Sequence, residues 1–299
     1  KVPCSRPTNS KGTPYMPRVL ATLTLLSCLV IMAPSVPAQP VSPAPGVEFP
    51  PEMIENLQQG KGMFEFQHVW IEKTRKVRAQ REAFISDRGF YKREMIQPAA
   101  RAEFAVSGNF EVPVFCVKYS TSGADPFPVS QMQTKLFDGP FAPRTMTQFY
   151  DEISYGDLNM TGTVYGWTTL PGTEAFYVGA GTCNGLGTCA NIDDLIYSTI
   201  SLNDGAIDFS QYDNDGPDGL PDSGDDDGFV DFVAFVHPER GAECGANGNI
   251  WSHRYSLTGW QLQGEGTGPY TTNDSRTGGG FIKVDDYVIQ PILNCDNLT

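Results

Sequence analysis

The chain has 299 residues, 40% of them hydrophobic, with 35 acidic against 21 basic side chains and a net charge of −14. The charge is unevenly spread: residues 61–101 hold ten basic and five acidic groups, a net of +5, whereas residues 109–299 hold seven and 26, a net of −19. The change of sign points to two functional parts, and it argues against nucleic acid as a partner of the acidic part, which would repel phosphates.

In chain order, residues 16–38 read MPRVLATLTLLSCLVIMAPSVPA. Arg18 is a short positive start, Val19 to Ala33 is an apolar run too short to span a bilayer comfortably, and Val36-Pro37-Ala38 offers small residues for cleavage. This predicts a secretory signal starting at Met16 and cleaved after Ala38, with residues 1–38 as leader, extracellular localisation and no stable membrane insertion. Lipid attachment at Cys28 is the weaker alternative, because the apolar run continues past it. Gln39 to Pro51 is Pro-rich and predicts an extended linker. Over 61–87 the residues Met63, Phe66, Trp70, Val77 and Phe84 fall on one stripe at helical spacing, with Lys73, Arg75, Lys76, Arg78 and Arg81 around the rest. An ordinary amphipathic helix and a basic pro-segment lying on the acidic part both fit. From Phe110 the pattern is globular α+β, and roughly 190 residues suffice for one core. VPVFCVKY predicts a buried strand, Arg144–Ile153 a helix, Leu158–Trp167 a strand, Ala190–Leu202 a helix, Phe229–His237 a strongly apolar strand, and Phe281–Ile292 a strand interrupted by Pro291.

The sharpest signal lies just before the FVDFVAFVH strand. Between Arg144 and Arg240 there is no Lys or Arg, yet there are 17 Asp and Glu, and nine Asp fall within Asp208–Asp231. Carboxylates so crowded repel by about 1 kcal/mol per close pair even in bulk water. A hard cation with many oxygen ligands and loose geometry relieves this, which points to calcium. Asp213 and Asp215 alternate before Gly216, Asp225 and Asp227 alternate before Gly228, and Asp231 follows. These five are the candidate ligands. The match to a calcium loop is partial, since Pro217 and Ser223 stand where acids are expected and no Glu closes a twelve-residue loop. The competing reading is a solvated acidic loop.

Once the leader's Cys4 and Cys28 are set aside, five cysteines remain, an odd count. Cys183 and Cys189 flank a Gly-rich loop and are expected to pair, Cys244 and Cys295 are a second candidate pair, and Cys116 within VPVFCV reads as a buried thiol. The sequence leaves the connectivity open. Of the three histidines, His237 and His253 read as structural, hydrogen-bonded side chains and His68 as a surface residue of the pro-segment.

Four stretches in this order, TMTQFYDEISYGDLNMTGTVYGW, DFSQYDNDGPDG with DDGFVDFVAFVH, IWSHRYSL, and DDYVIQPIL, resemble the immune-inhibitor-A type of secreted zinc metallopeptidase over about 110–295. The resemblance implies a zincin-like α+β fold with a mixed β-sheet and helices. It implies that 39–108 holds a linker and helical pro-segment, an intramolecular partner, and that 109–299 is the N-terminal part of a metallopeptidase domain acting on protein or peptide substrates. It also implies a His-Glu-x-x-His helix, in which two His hold zinc and the Glu acts as general base. His68, His237 and His253 are not spaced for that motif, so no zinc ligand is assigned and the chain is expected to stop before the zinc helix and to be inactive as it stands. A non-catalytic, calcium-stabilised extracellular binding or adhesion module is the alternative.

Overall fold

The computed structural model describes residues 41–58, 108–180, 183–216 and 218–296. The strands are β1 (Gly108–Lys118), β2 (Leu158–Thr169), β3 (Ala234–Arg240), β4 (His253–Ser256), β5 (Tyr270–Ser275), β6 (Phe281–Val284) and β7 (Asp286–Leu293). The helices are α1 (Pro51–Gln58), α2 (Val129–Gln133), α3 (Met146–Ile153), α4 (Glu174–Val178), α5 (Ile192–Asn203) and α6 (Leu257–Leu262). The expected leader and the 61–87 helix lie outside the described residues.

Five strands form one sheet in the order β2-β1-β3-β7-β4, and β5 and β6 form a separate hairpin. β1, β2, β3 and β7 run parallel, while β4 runs antiparallel to β7 at the edge. The architecture is therefore α+β with a mixed sheet. Parallel strands buried on both faces read as continuous apolar runs, and NFEVPVFCVK is such a run. Strand alternation divides its side chains. Phe115 and Val117 join a large core with Ile192, Leu195, Ile196 and Ile200 of α5, whereas Val112, Val114 and Cys116 join a smaller one with Met132 of α2 and Phe137. Leu158, Met160 and Val164 of β2 alternate with exposed or half-buried positions, as a strand with one covered face should. Helix α3 starts from a capping box in which Thr145 accepts from Gln148 N and the Gln148 side chain accepts from Thr145 N.

Three expectations shift. FVDFVAFVH is not one strand: regular pairing starts only at Ala234, while Val230 N donates to Lys283 O at 2.9 Å, drawing Phe229 and Val230 toward the β5–β6 hairpin. Phe281–Ile292 breaks at Asp285, not at Pro291. Asp285 is 3% exposed and its carboxylate accepts from Thr258 N at 2.7 Å and Thr258 Oγ1 at 2.8 Å. Pro291 sits within β7 because Val288 N donates toward β3 at Val233 O, so odd positions face β4, and β4 pairing ends at Ile289. The Pro-rich stretch is extended but docked. Val41 N donates to Ser252 O, Ala44 N to Glu243 O and Trp251 Nε1 to Val41 O, and Phe49 stacks on Trp251 at 5.2 Å.

Candidate metal centre

The acidic loop hangs from a 3-10 turn, Phe209–Tyr212, whose two aromatic rings are buried. Asp208 caps that turn, accepting from Ser210 N at 3.0 Å, and Tyr212 O accepts from Asp231 N at 2.8 Å. The last hydrogen bond closes the loop and brings Asp231 beside Asp213. One carboxylate oxygen each from Asp213, Asp215 and Asp231 lie within 4.8 Å of one another, and all three residues are buried. Asp213 is fully buried at 0% exposure; its Oδ2 accepts from Gly228 N at 2.8 Å, and its Oδ1 is buried with no hydrogen-bond partner. Asp215 Oδ1 accepts from Asp227 N at 3.2 Å, and Asp231 Oδ2 accepts from Asn214 N at 2.8 Å.

Burial, followed by the charges of Asp227, Asp226, Asp231 and Asp215, pushes the Asp213 carboxyl up to about 8. Three hard oxygens from buried residues match the chemistry of calcium, which takes 6–8 oxygen ligands, with loop carbonyls and water able to complete the shell. They do not match zinc, which favours nitrogen and sulfur. Neither buried histidine supplies a zinc site. His253 has Nδ1 against Trp251 O at 2.7 Å and Nε2 against Tyr287 OH at 3.1 Å. His237 is fully buried, held down to about 3 chiefly by that burial, and both its ring nitrogens lack a hydrogen-bond partner. It is buried as expected but not hydrogen-bonded. No catalytic step through zinc can be built from the described residues.

The structure brings together Asp213, Asp215 and Asp231 of the five sequence candidates. Asp227 stands alongside: of the neighbouring charges it acts most strongly on Asp213, and its Oδ1 accepts from Phe229 N at 2.9 Å. Asp225 turns to the loop's own rim, accepting from Asp218 N at 3.3 Å and from Ser223 Oγ. Asp226, absent from the candidates, is 4% exposed and ties the loop internally through Gly216 N at 2.6 Å and Ser223 N at 2.9 Å. Its carboxyl is raised by burial, against those two hydrogen bonds. The Gly positions are explained by proximity: a Cβ on Gly216 would sit 2.5 Å from Asp225 Oδ1. Sequence reading also missed Arg276, a basic residue that reaches the acidic loop from outside the 144–240 stretch. It arrives from the β5–β6 turn, donates from Nη2 to Asp226 O at 2.5 Å and lies so close over Gly228 that a Cβ there would meet Arg276 Cδ at 2.7 Å.

Asp231 also borders an apolar groove of about 470 Å³ on the smaller-core face of the sheet, walled by Val114, Met146, Phe232 and Val288. The Arg254–Asp286 ion pair, 3.1 Å, lies at its side. Both expected disulfides are present, Cys183–Cys189 with Cα atoms 6.0 Å apart and Cys244–Cys295 at 5.1 Å. Cys116 is a buried free thiol, pushed up to about 12 mainly by burial.

Residues 118–296 match the family model described as immune inhibitor A peptidase M6, catalytic domain. The chain is also 30% identical over 173 residues to immune inhibitor A of Bacillus thuringiensis subsp. alesti, an alignment that covers 52% of this chain. It spans only 24% of that relative's length. With the match running from the end of β1 through the acidic loop to the residues after β7, the chain belongs to the immune inhibitor A family of M6 peptidases.

Proposed function

We propose that the described residues form the sheet-bearing part of a secreted zinc endopeptidase precursor, held together by a calcium ion in the Asp213–Asp231 loop. The observation carrying the peptidase half is family membership across 118–296, which favours it over a non-catalytic adhesion module. The observation carrying the calcium half is the buried Asp213 oxygen without a hydrogen-bond partner, on a residue clustered with two further buried carboxylates. A buried carboxylate left in that condition costs several kcal/mol unless a cation or a proton satisfies it. Two disulfides support an oxidising, extracellular setting. No helix among the described residues is long and apolar enough to cross a membrane. In this reading a zinc ion bound by a His-Glu-x-x-His helix, a motif these 299 residues do not contain, would supply the activated water. The residues described here provide the scaffold sheet, and the basic 61–101 segment acts as a removable pro-segment on the acidic part.

The test is to express the complete reading frame and assay casein hydrolysis. Hydrolysis lost in chelator and restored by zinc supports the reading; a folded full-length product inert under every metal condition overturns it.

A further inference from the structure

β1 enters the sheet with one flank bare. It pairs with β2 along Gly108–Lys118, but β3 meets it only over Val114–Cys116. Among the described residues, 108–113 therefore have no strand on their second side, and the acidic loop takes its place. Asn214 Nδ2 donates to Asn109 O at 2.7 Å, and the Phe110 and Phe232 rings meet edge to face at 5.8 Å. Asn214 stands between Asp213 and Asp215, two of the three clustered carboxylates, and its own backbone N is bound by the third, Asp231. Phe232 directly follows Asp231. Both of these contacts between the loop and the start of β1 are one residue from a candidate cation ligand. Gly108 and Asn109 themselves are exposed, and Phe110 is buried.

We propose that the bound cation sets where N-terminal proteolysis of the domain stops. Loaded, the loop clamps Asn109 and Phe110, and trimming halts at or before Gly108. Empty, the carboxylates repel, Asn214 and Phe232 withdraw, and the singly paired end of β1 frays into reach of a protease. The proposal rests on the calcium reading, and it adds a cation-gated boundary at the start of β1.

The experiment digests the full chain with a protease of broad specificity, below its melting temperature, in calcium or in chelator. Mass spectrometry reads the N-terminus of the surviving large fragment. Calcium should hold that terminus at or before Gly108, whereas chelator should give termini within 110–117. The rate of entry into β1 should fall roughly tenfold or more, against a ceiling of about 100-fold at calcium 100-fold above its dissociation constant. Asn214→Ala should keep the calcium-induced rise in melting temperature yet be trimmed into β1 even with calcium. Phe232→Leu should do so to a smaller extent. Identical termini in calcium and chelator, with a clear melting shift, would overturn the clamp while leaving the calcium site standing. An unchanged melting temperature would overturn the calcium reading itself. Asn214→Ala stopping at Gly108 like the unaltered chain would also overturn the clamp.

Discussion

Exchanging Asp213 for Asn separates proton from cation at the centre of the loop. Asn keeps the size and the oxygen that accepts from Gly228 N, and removes only the charge. In chelator the native carboxyl titrates near 8 against an ordinary 3.8. Between those two pH values the folded chain keeps a proton that the unfolded chain has released. Stability therefore falls as pH rises, by about 1.4 kcal/mol per unit, and levels off above 8. At pH 7 about three units of that gap have been crossed, so the unaltered chain in chelator is weakened by about 4 kcal/mol relative to a group that cannot ionise. Asp213→Asn in chelator should accordingly be the more stable protein at pH 7, by up to that amount, and should match the unaltered chain near pH 4. Calcium should then raise the unaltered chain by about 2.7 kcal/mol at 100-fold above its dissociation constant and leave Asp213→Asn unmoved. Urea unfolding across pH 4–8, in chelator and in calcium, reads all four quantities. If both proteins lose stability with pH at the same slope, or if calcium lifts both equally, then Asp213 is neither the perturbed carboxyl nor a ligand.

The two disulfides should differ in worth by loop length: removing Cys244–Cys295, separated by 51 residues, should cost about 4 kcal/mol, and removing Cys183–Cys189, separated by 6, about 2 kcal/mol in paired Ser variants unfolded by urea. Gly162→Ala places a Cβ 2.2 Å from Phe137 Cζ and 2.5 Å from Val112 O, so it should cost about 1–3 kcal/mol or more while leaving the calcium shift intact. Phe49→Ala removes the ring stacked on Trp251 and should cost about 1–3 kcal/mol, with a red shift of Trp251 fluorescence as the readout. An unshifted spectrum would mean that the N-terminal segment does not cover that indole in solution.

Local signals were legible where one physical demand dominated. The VPVFCVKY run, the Leu158–Trp167 alternation and the helices ending at Ile153 and Leu202–Asn203 were readable because their apolar spacing is set by the face they bury. The Cys183–Cys189 pair was suggested by its short Gly-rich loop, whereas Cys244–Cys295 was only a candidate that the sequence could not settle. Long-range competition was not. Phe229 and Val230 are as apolar as the strand that follows, but the Val230–Lys283 hydrogen bond pulls them elsewhere, and nothing local announces Lys283. Within the acidic loop the alternation rule favoured Asp225 and Asp227 equally with Asp213 and Asp215 and passed over Asp226. The turn at Gly216 instead buries Asp226 as an internal tie and leaves Asp225 at the rim. Arg276 lies 45 residues past the last acid of the loop, so only the hairpin's placement brings it there. The docked Val41–Gln58 segment was hidden for the same reason: its partners Glu243, Trp251 and Ser252 are some 200 residues away.

That docking has a consequence for how the chain can be made. Trp251 Nε1 reaches back to Val41 O across a separation of 210 residues. A ribosome adding about 5–20 residues per second needs roughly 10–40 s to cover that interval. Throughout it Phe49 lacks the Trp251 indole on which it stacks, and Val47 and Met53 face a large core that is still incomplete. The N-terminal segment is thus synthesised first and seated among the last. For those seconds the nascent chain carries a sticky, uncovered stretch, and a chaperone or the confinement of an export channel would have its greatest effect on yield there. Slowing translation between Met53 and Trp251 should lower the recovered folded fraction more than slowing it after Trp251.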